Sequence, residues 1–176
     1  MSIFVPPPPS PEQRLAEVNA MKAAESTRTL QDNARAVELD NNGAGKLWFD
    51  EAAKMRANVG GIKGLWGTAM VATALAAGGV MSEISKLHYQ QKRPFQLDTT
   101  LSPLGGLPND SSYPSGHATA SEAAATVLAH FDRAHANEYE QLASDVAAAR
   151  VYSEVHLPSD VAAGSVLGKR VGSWFS

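Results

Sequence analysis

The sequence contains no cysteine, which excludes disulfides, thiolate metal sites and a cysteine nucleophile. It also lacks an excess of positive charge. Lys and Arg number 15 against 18 Asp and Glu, for a formal net charge of −3. Without a broad basic field there is no electrostatic footprint for nucleic acid, and none is expected as a partner. A long apolar run is missing too. The most apolar stretch, Trp66 to Met81, is shorter than the ~20 residues of a spanning helix and carries Gly67, Gly78 and Gly79. It reads as a buried helix, with a spanning helix as the lesser alternative, so no stable membrane insertion is expected. Met1 to Pro6 offers neither a basic nor a long apolar segment and does not read as a signal peptide. The chain is then cytoplasmic, or a mature form given a start methionine. Strand signals are weak throughout, because alanine dominates and β-branched alternation is absent.

What remains suffices for one domain with a real core: 176 residues, 44% of them hydrophobic. Residues 1–10 form a proline-rich arm, in which Pro6 to Pro9 cannot be helical. Residues 11–176 read as one all-α domain. Ser10-Pro11-Glu12-Gln13 is a helix start, and the spacing predicts a helix to about Leu39, stopped by Asp40-Asn41-Asn42-Gly43. A short helix follows over Lys46 to Ala57, broken at Gly60-Gly61. The next spans Ile62 to Lys92, loosened near Gly78-Gly79, and ends before Pro94. Phe95 to Pro114 is a loop rich in Pro, Gly, Asn, Asp and Ser, of a length that is usually functional or mobile. Helices are expected again over Ser115 to Phe131, Ala134 to Val155 and Pro158 to Trp174.

Three segments carry chemistry. In the first, Lys86 and Arg93 are two helical turns apart and fall on one face, where they can clamp a multiply charged anion. The plainer alternative is a solvated face on which Glu83 pairs with Lys86. In the second, Pro114-Ser115-Gly116-His117 opens an alanine-rich helix. Free N–H groups at such an end favour an anion, Gly116 allows close approach, and His117 sits within reach. An ordinary turn with a serine cap would look the same. In the third, Leu142, Val146 and Arg150 recur at i, i+4, i+8, so Arg150 borders an apolar face and needs an anionic partner. Asp160, four residues after His156, can accept from one imidazole nitrogen and leave the other as a nucleophile. The alternative is a surface His–Asp pair with an Arg150–Glu154 bridge. Taken together, three cations, a helix N-terminus, two histidines and an orienting aspartate meet the needs of phosphoryl transfer. No metal cage is visible in the pattern of carboxylates.

Lys86-x6-Arg93-Pro94, Pro114-Ser115-Gly116-His117 and Arg150-x5-His156-x3-Asp160 occur in the order of, and resemble, the three signatures of the phosphatidic acid phosphatase type 2 and vanadium haloperoxidase superfamily. Within it the chain looks most like bacterial class A nonspecific acid phosphatases, on Pro6 to Pro9, Lys86-Leu87-His88-Tyr89 and Asn109 to Pro114. The resemblance implies a helical bundle with its active site at helix ends. His156 would form a phosphohistidine, with Asp160 orienting it and His117 as general acid. Lys86, Arg93, Ser115, Gly116 and Arg150 would bind phosphate oxygens. It further implies a metal-independent phosphomonoesterase for small organic phosphates, needing no cofactor, with vanadate binding as a transition-state mimic. A vanadium haloperoxidase and a lipid-phosphate phosphatase are the alternatives. A periplasmic or secreted setting and a homodimer follow from the same resemblance. Two departures stand out: Ala149 where the family usually has Ser, and Glu154 where it often has Gly. The latter carboxylate either repels anions or turns outward. His88, His130 and His135 read as surface or structural, and Trp48, Trp66 and Trp174 as core or interface aromatics.

Overall fold

Ser10 opens the first helix with a reciprocal cap. Its Oγ accepts from the Gln13 N–H while the Gln13 side chain accepts from the Ser10 N–H. The computed structural model describes residues 5–176; Met1–Phe4, on which part of the leader reading rests, lies outside them. The described residues form eight α-helices and no strand: α1 (Pro11–Ala24), α2 (Leu30–Asn42), α3 (Lys46–Val59), α4 (Gly61–Tyr89), α5 (Pro94–Leu97), α6 (Gly116–Phe131), α7 (Ala136–Tyr152) and α8 (Pro158–Gly172).

Several expected boundaries move, and the short α5 occupies the start of the segment expected as a loop over Phe95 to Pro114. The single helix to Leu39 is two, because Thr29 caps a new start by accepting from the Asp32 N–H while donating to the Asp32 carboxylate. Helix α4 runs unbroken through Gly78-Gly79, since Gly78 is where α6 approaches: a Cβ there would touch Thr119 at 3.6 Å. The same helix stops at Tyr89 instead of Lys92, with Gln90 in the left-handed region at φ 48°. Helix α7 ends at Tyr152, three residues early, and Glu154 has φ 58°.

Helix α6 is the central element, and α4, α7 and α8 pack mainly on it. Its Ala123, Ala124 and Ala125 are fully buried. The approach of α8 is close enough to exclude side chains. A Cβ on Gly164 would lie 2.5 Å from the Ser115 carbonyl oxygen, and one on Gly168 would lie 2.4 Å from that of Thr119. This contact sets the start of α8 beside the start of α6, where the Ser115 N–H donates to the Asp160 carbonyl at 2.9 Å. Trp48 is buried and donates to the Gly43 carbonyl and Ser121 Oγ. Trp66 and Trp174 are instead exposed, and the Trp66 to Met81 stretch is only half-buried, one face of α4 lacking a neighbour.

Candidate active site

Lys86 lies in the last turn of α4, Arg93 caps α5, and Ser115-Gly116-His117 begin α6. Arg150 stands in the last turn of α7, His156 in the turn after it, and Asp160 in the first turn of α8. Helix packing brings all eight to one place. Lys86 and Arg93 do not share a helical face, because α4 ends between them. The turn at Gln90 brings them together instead, and both bind the carboxylate of Asp110, Arg93 Nη2 at 2.6 Å. Arg93 Nη1 reaches His156 Nε2 at 3.2 Å and the Val155 carbonyl at 2.7 Å. Gly116 lies over Lys86: a Cβ there would sit 3.6 Å from Nζ.

On the other flank Arg150 is ion-paired with Asp40, and the Arg150–Glu154 bridge does not form. His117 Nε2 donates to the Asp40 carbonyl at 3.0 Å. Arg150 Nε, His156 Nδ1 and Ser82 Oγ are buried without a hydrogen-bond partner among the described residues. Ser82 Oγ is 3.4 Å from where a Gly116 Cβ would stand. Cations, a helix N-terminus and the unmatched Arg150 Nε and Ser82 Oγ suit a tetrahedral oxyanion, phosphate or vanadate alike.

With Arg93 donating to Nε2, the His156 proton resides on Nδ1, facing Asp160 Oδ2 at 3.7 Å. That separation is an ion-pair distance and not the hydrogen bond the spacing suggested. Asp160 spends its oxygens elsewhere: Oδ1 accepts from Arg14 Nη1 at 2.9 Å, and Oδ2 from Ser112 Oγ and the Leu157 N–H. Burial, with Arg93 and Arg150 nearby, outweighs Asp160 and pushes the His156 pKa down to about 4. Burial, then Lys86 and Arg93, brings His117 to about 4 as well. Burial works against ionisation of Asp110, but Lys86 and Arg93 hold it down at about 2. Burial lowers Arg150 to about 10, still charged at neutral pH.

A model of the PAP2 superfamily matches residues 67–176, more than half of the sequence. The chain belongs to the PAP2 superfamily. Two solved structures share this PAP2 fold. One is a bacterial vanadium-dependent iodoperoxidase, similar over 98% of this chain at 20% identity and a TM-score of 0.82. This chain spans 52% of that protein's length. The other is a transmembrane PAP2-type phosphatidylglycerolphosphate phosphatase from Bacillus subtilis, at 21% identity and a TM-score of 0.67, covering 94% of this chain and 85% of that one. No curated protein matches the chain in sequence.

Glu154 neither faces the site cations nor turns outward. It is buried against Arg28 Nη2 at 2.8 Å, in a left-handed conformation that gives the frequent glycine a backbone reason. Asp40, Asp110, Arg14, Ser112 and Ser82 were not singled out from sequence. Asp40 reads as a helix stop and Asp110 as a loop residue, and no spacing ties either to its cation. His88 and His130 are exposed, and His135 pairs with Asp132.

Proposed function

We propose that this PAP2 protein is a phosphomonoesterase of acid phosphatase type, acting on small organic phosphates through a phosphohistidine. The observation that carries the reading is the junction at His156, a buried imidazole whose Nε2 accepts from Arg93 Nη1 at 3.2 Å, with the Arg150 cation nearby. A phosphate ester would take its non-bridging oxygens to those cations and the α6 N-terminus, displacing the Asp110 and Asp40 carboxylates. His156 Nε2 then attacks phosphorus, the ester P–O bond breaks, and His117, protonated in acid and favoured as a cation by the bound phosphate dianion, gives its extra proton to the departing oxygen. The cationic ring formed is held by Asp160 opposite Nδ1. Water, with His117 taking its proton, cleaves the N–P bond and releases inorganic phosphate.

The test is hydrolysis of an aryl phosphate with and without EDTA. Turnover is expected in both, since no group of three or more His, Asp or Glu gathers as a metal site among the described residues. Loss with EDTA and recovery with a divalent ion would contradict it. The same pocket suits vanadate, so a haloperoxidase is the second reading. Iodide oxidation with peroxide and vanadate, in place of ester hydrolysis, would favour it.

One surface bears on partners. Gly61–Leu97 is long and apolar enough to cross a membrane by length and composition. Its exposed apolar residues keep to one face of α4: Ile62, Leu65, Trp66, Val80, Ile84 and Leu87, around small Ala69, Thr73 and Ala76. These positions are arranged about a centre. An antiparallel second copy would set Ile62 against Leu87, Leu65 against Ile84, Ala69 against Val80 and Thr73 against Ala76, the self-matching of a two-fold interface. The six large side chains expose on the order of 700 Å², near the ~800 Å² each partner gives to a standard interface. The rim carries Lys63 and Glu83 and no basic cluster of the kind that holds a helix to an anionic bilayer. A homodimer through α4 is therefore the occupant proposed.

A further inference from the structure

Helix α1 lies outside residues 67–176, the part matched by the PAP2 model, and carries none of the three motifs. Yet its Arg14 is among the most buried charges in the molecule, 3% exposed, against Asp160 at 0%. The guanidinium is fixed at both ends: Nη1 donates to Asp160 Oδ1 at 2.9 Å and Nη2 to the Lys92 carbonyl at 3.0 Å. With Ser112 Oγ and the Leu157 N–H on Oδ2, the Asp160 carboxylate is satisfied without the imidazole, which stands 3.7 Å away.

The charges facing His156 come from three elements. Arg93, with Asp110 upon it, stands at Nε2. Arg150, with Asp40 upon it, acts from α7, and Asp160 from α8. Only Asp160 favours a proton on the ring, and Arg14 on α1 is its counter-charge. A buried carboxylate left alone beside an imidazole would stabilise imidazolium strongly, and imidazolium has no lone pair with which to attack phosphorus.

We propose that Arg14 is a positioning residue that takes up the charge of Asp160, so that Asp160 orients His156 without protonating it and the nucleophile stays neutral in acid. The proposal rests on the phosphatase reading for its consequence, but its premise is a property of the ring.

The decisive measurement is the pH titration of the His156 imidazole by NMR, alongside the acid limb of kcat/KM for an aryl phosphate. Arg14→Met should move both upward by about one pH unit, and Arg14→Lys, which keeps the charge, should hold them near wild type. If loss of the buried cation prevents folding, Asp160→Asn and the double variant Arg14→Met/Asp160→Asn decide. The ring should titrate lower in the first than in the second, which has lost both charges. A ring that titrates alike in Asp160→Asn and the double variant, or a limb that falls in height without moving in Arg14→Met, would overturn the proposal and leave Arg14 a packing residue. Absence of any ester hydrolysis by the unmodified protein would sink the phosphatase reading, while the titration still decides the role of Arg14.

Discussion

Arg150 shows how far spacing reaches at the scale of a residue. Its position beside an apolar face called for an anionic partner, and that partner exists, but it is Asp40 from the end of α2. Nothing within a few residues of either announces the pair. Asp110, shared by Lys86 and Arg93, is the same case. Two carboxylates thus hold the site cations in place in the structure, and under the proposed function a phosphate ester would replace them. Arg150 is 2% exposed and presents a planar fork that lysine lacks. Arg150→Lys should weaken competitive inhibition by phosphate and vanadate roughly 10- to 100-fold, the worth of a charged hydrogen bond or two. Inhibition constants equal to those of the unmodified protein would show that no bidentate contact is made.

At the scale of the element, the motifs were legible because each sits at a helix end, where punctuation is strongest. Ser115 caps α6 and Pro158 starts α8 as read. The break at Thr29 was legible too, as Thr-x-x-Asp, but the run of helix-forming residues from Pro11 concealed it. What single-chain periodicity could not give was partnership. It marked Trp66 to Met81 as apolar, but burial of that face depends on a neighbour, and α4 has one on only half its girth. The α4 face has a direct check by analytical ultracentrifugation. A dimer is expected at micromolar concentration, and Ile62→Glu with Val80→Glu should give a monomer that still hydrolyses aryl phosphate. A monomeric unmodified protein that floats with lipid vesicles would instead assign the face to a bilayer.

At the scale of the whole molecule, the all-α class followed from helix signals, and the residues of three short motifs lie together at one corner of the fold. The way α1 closes the site from behind, through Arg14, did not, because a lone arginine in an amphipathic helix has no local mark. Burial of the two histidines also shapes stability. Both have pKa values depressed to about 4 in the fold against 6.5 ordinarily. Between those values the unfolded chain binds protons that the native state does not. Their contribution to stability is therefore complete above about pH 6.5 and is lost as pH falls toward 4. Tm should drop from about pH 7 to about pH 4.5, and inorganic phosphate should raise it by binding the native state alone. A Tm that holds or rises on acidification would mean that these imidazoles are not buried neutral.

A phosphohistidine mechanism requires His156 to attack phosphorus in the first chemical step. Rapid quench of labelled aryl phosphate, followed by phosphohistidine detection, observes that step itself. The unmodified protein should form an acid-labile, base-stable phosphoenzyme. His117→Ala should accumulate it, because an aryl oxygen leaves with little help from a proton. In His156→Ala it should be absent, with nearly all turnover lost. Label persisting in His156→Ala, or found on Ser115, would contradict a histidine nucleophile and leave only an oxyanion-binding site.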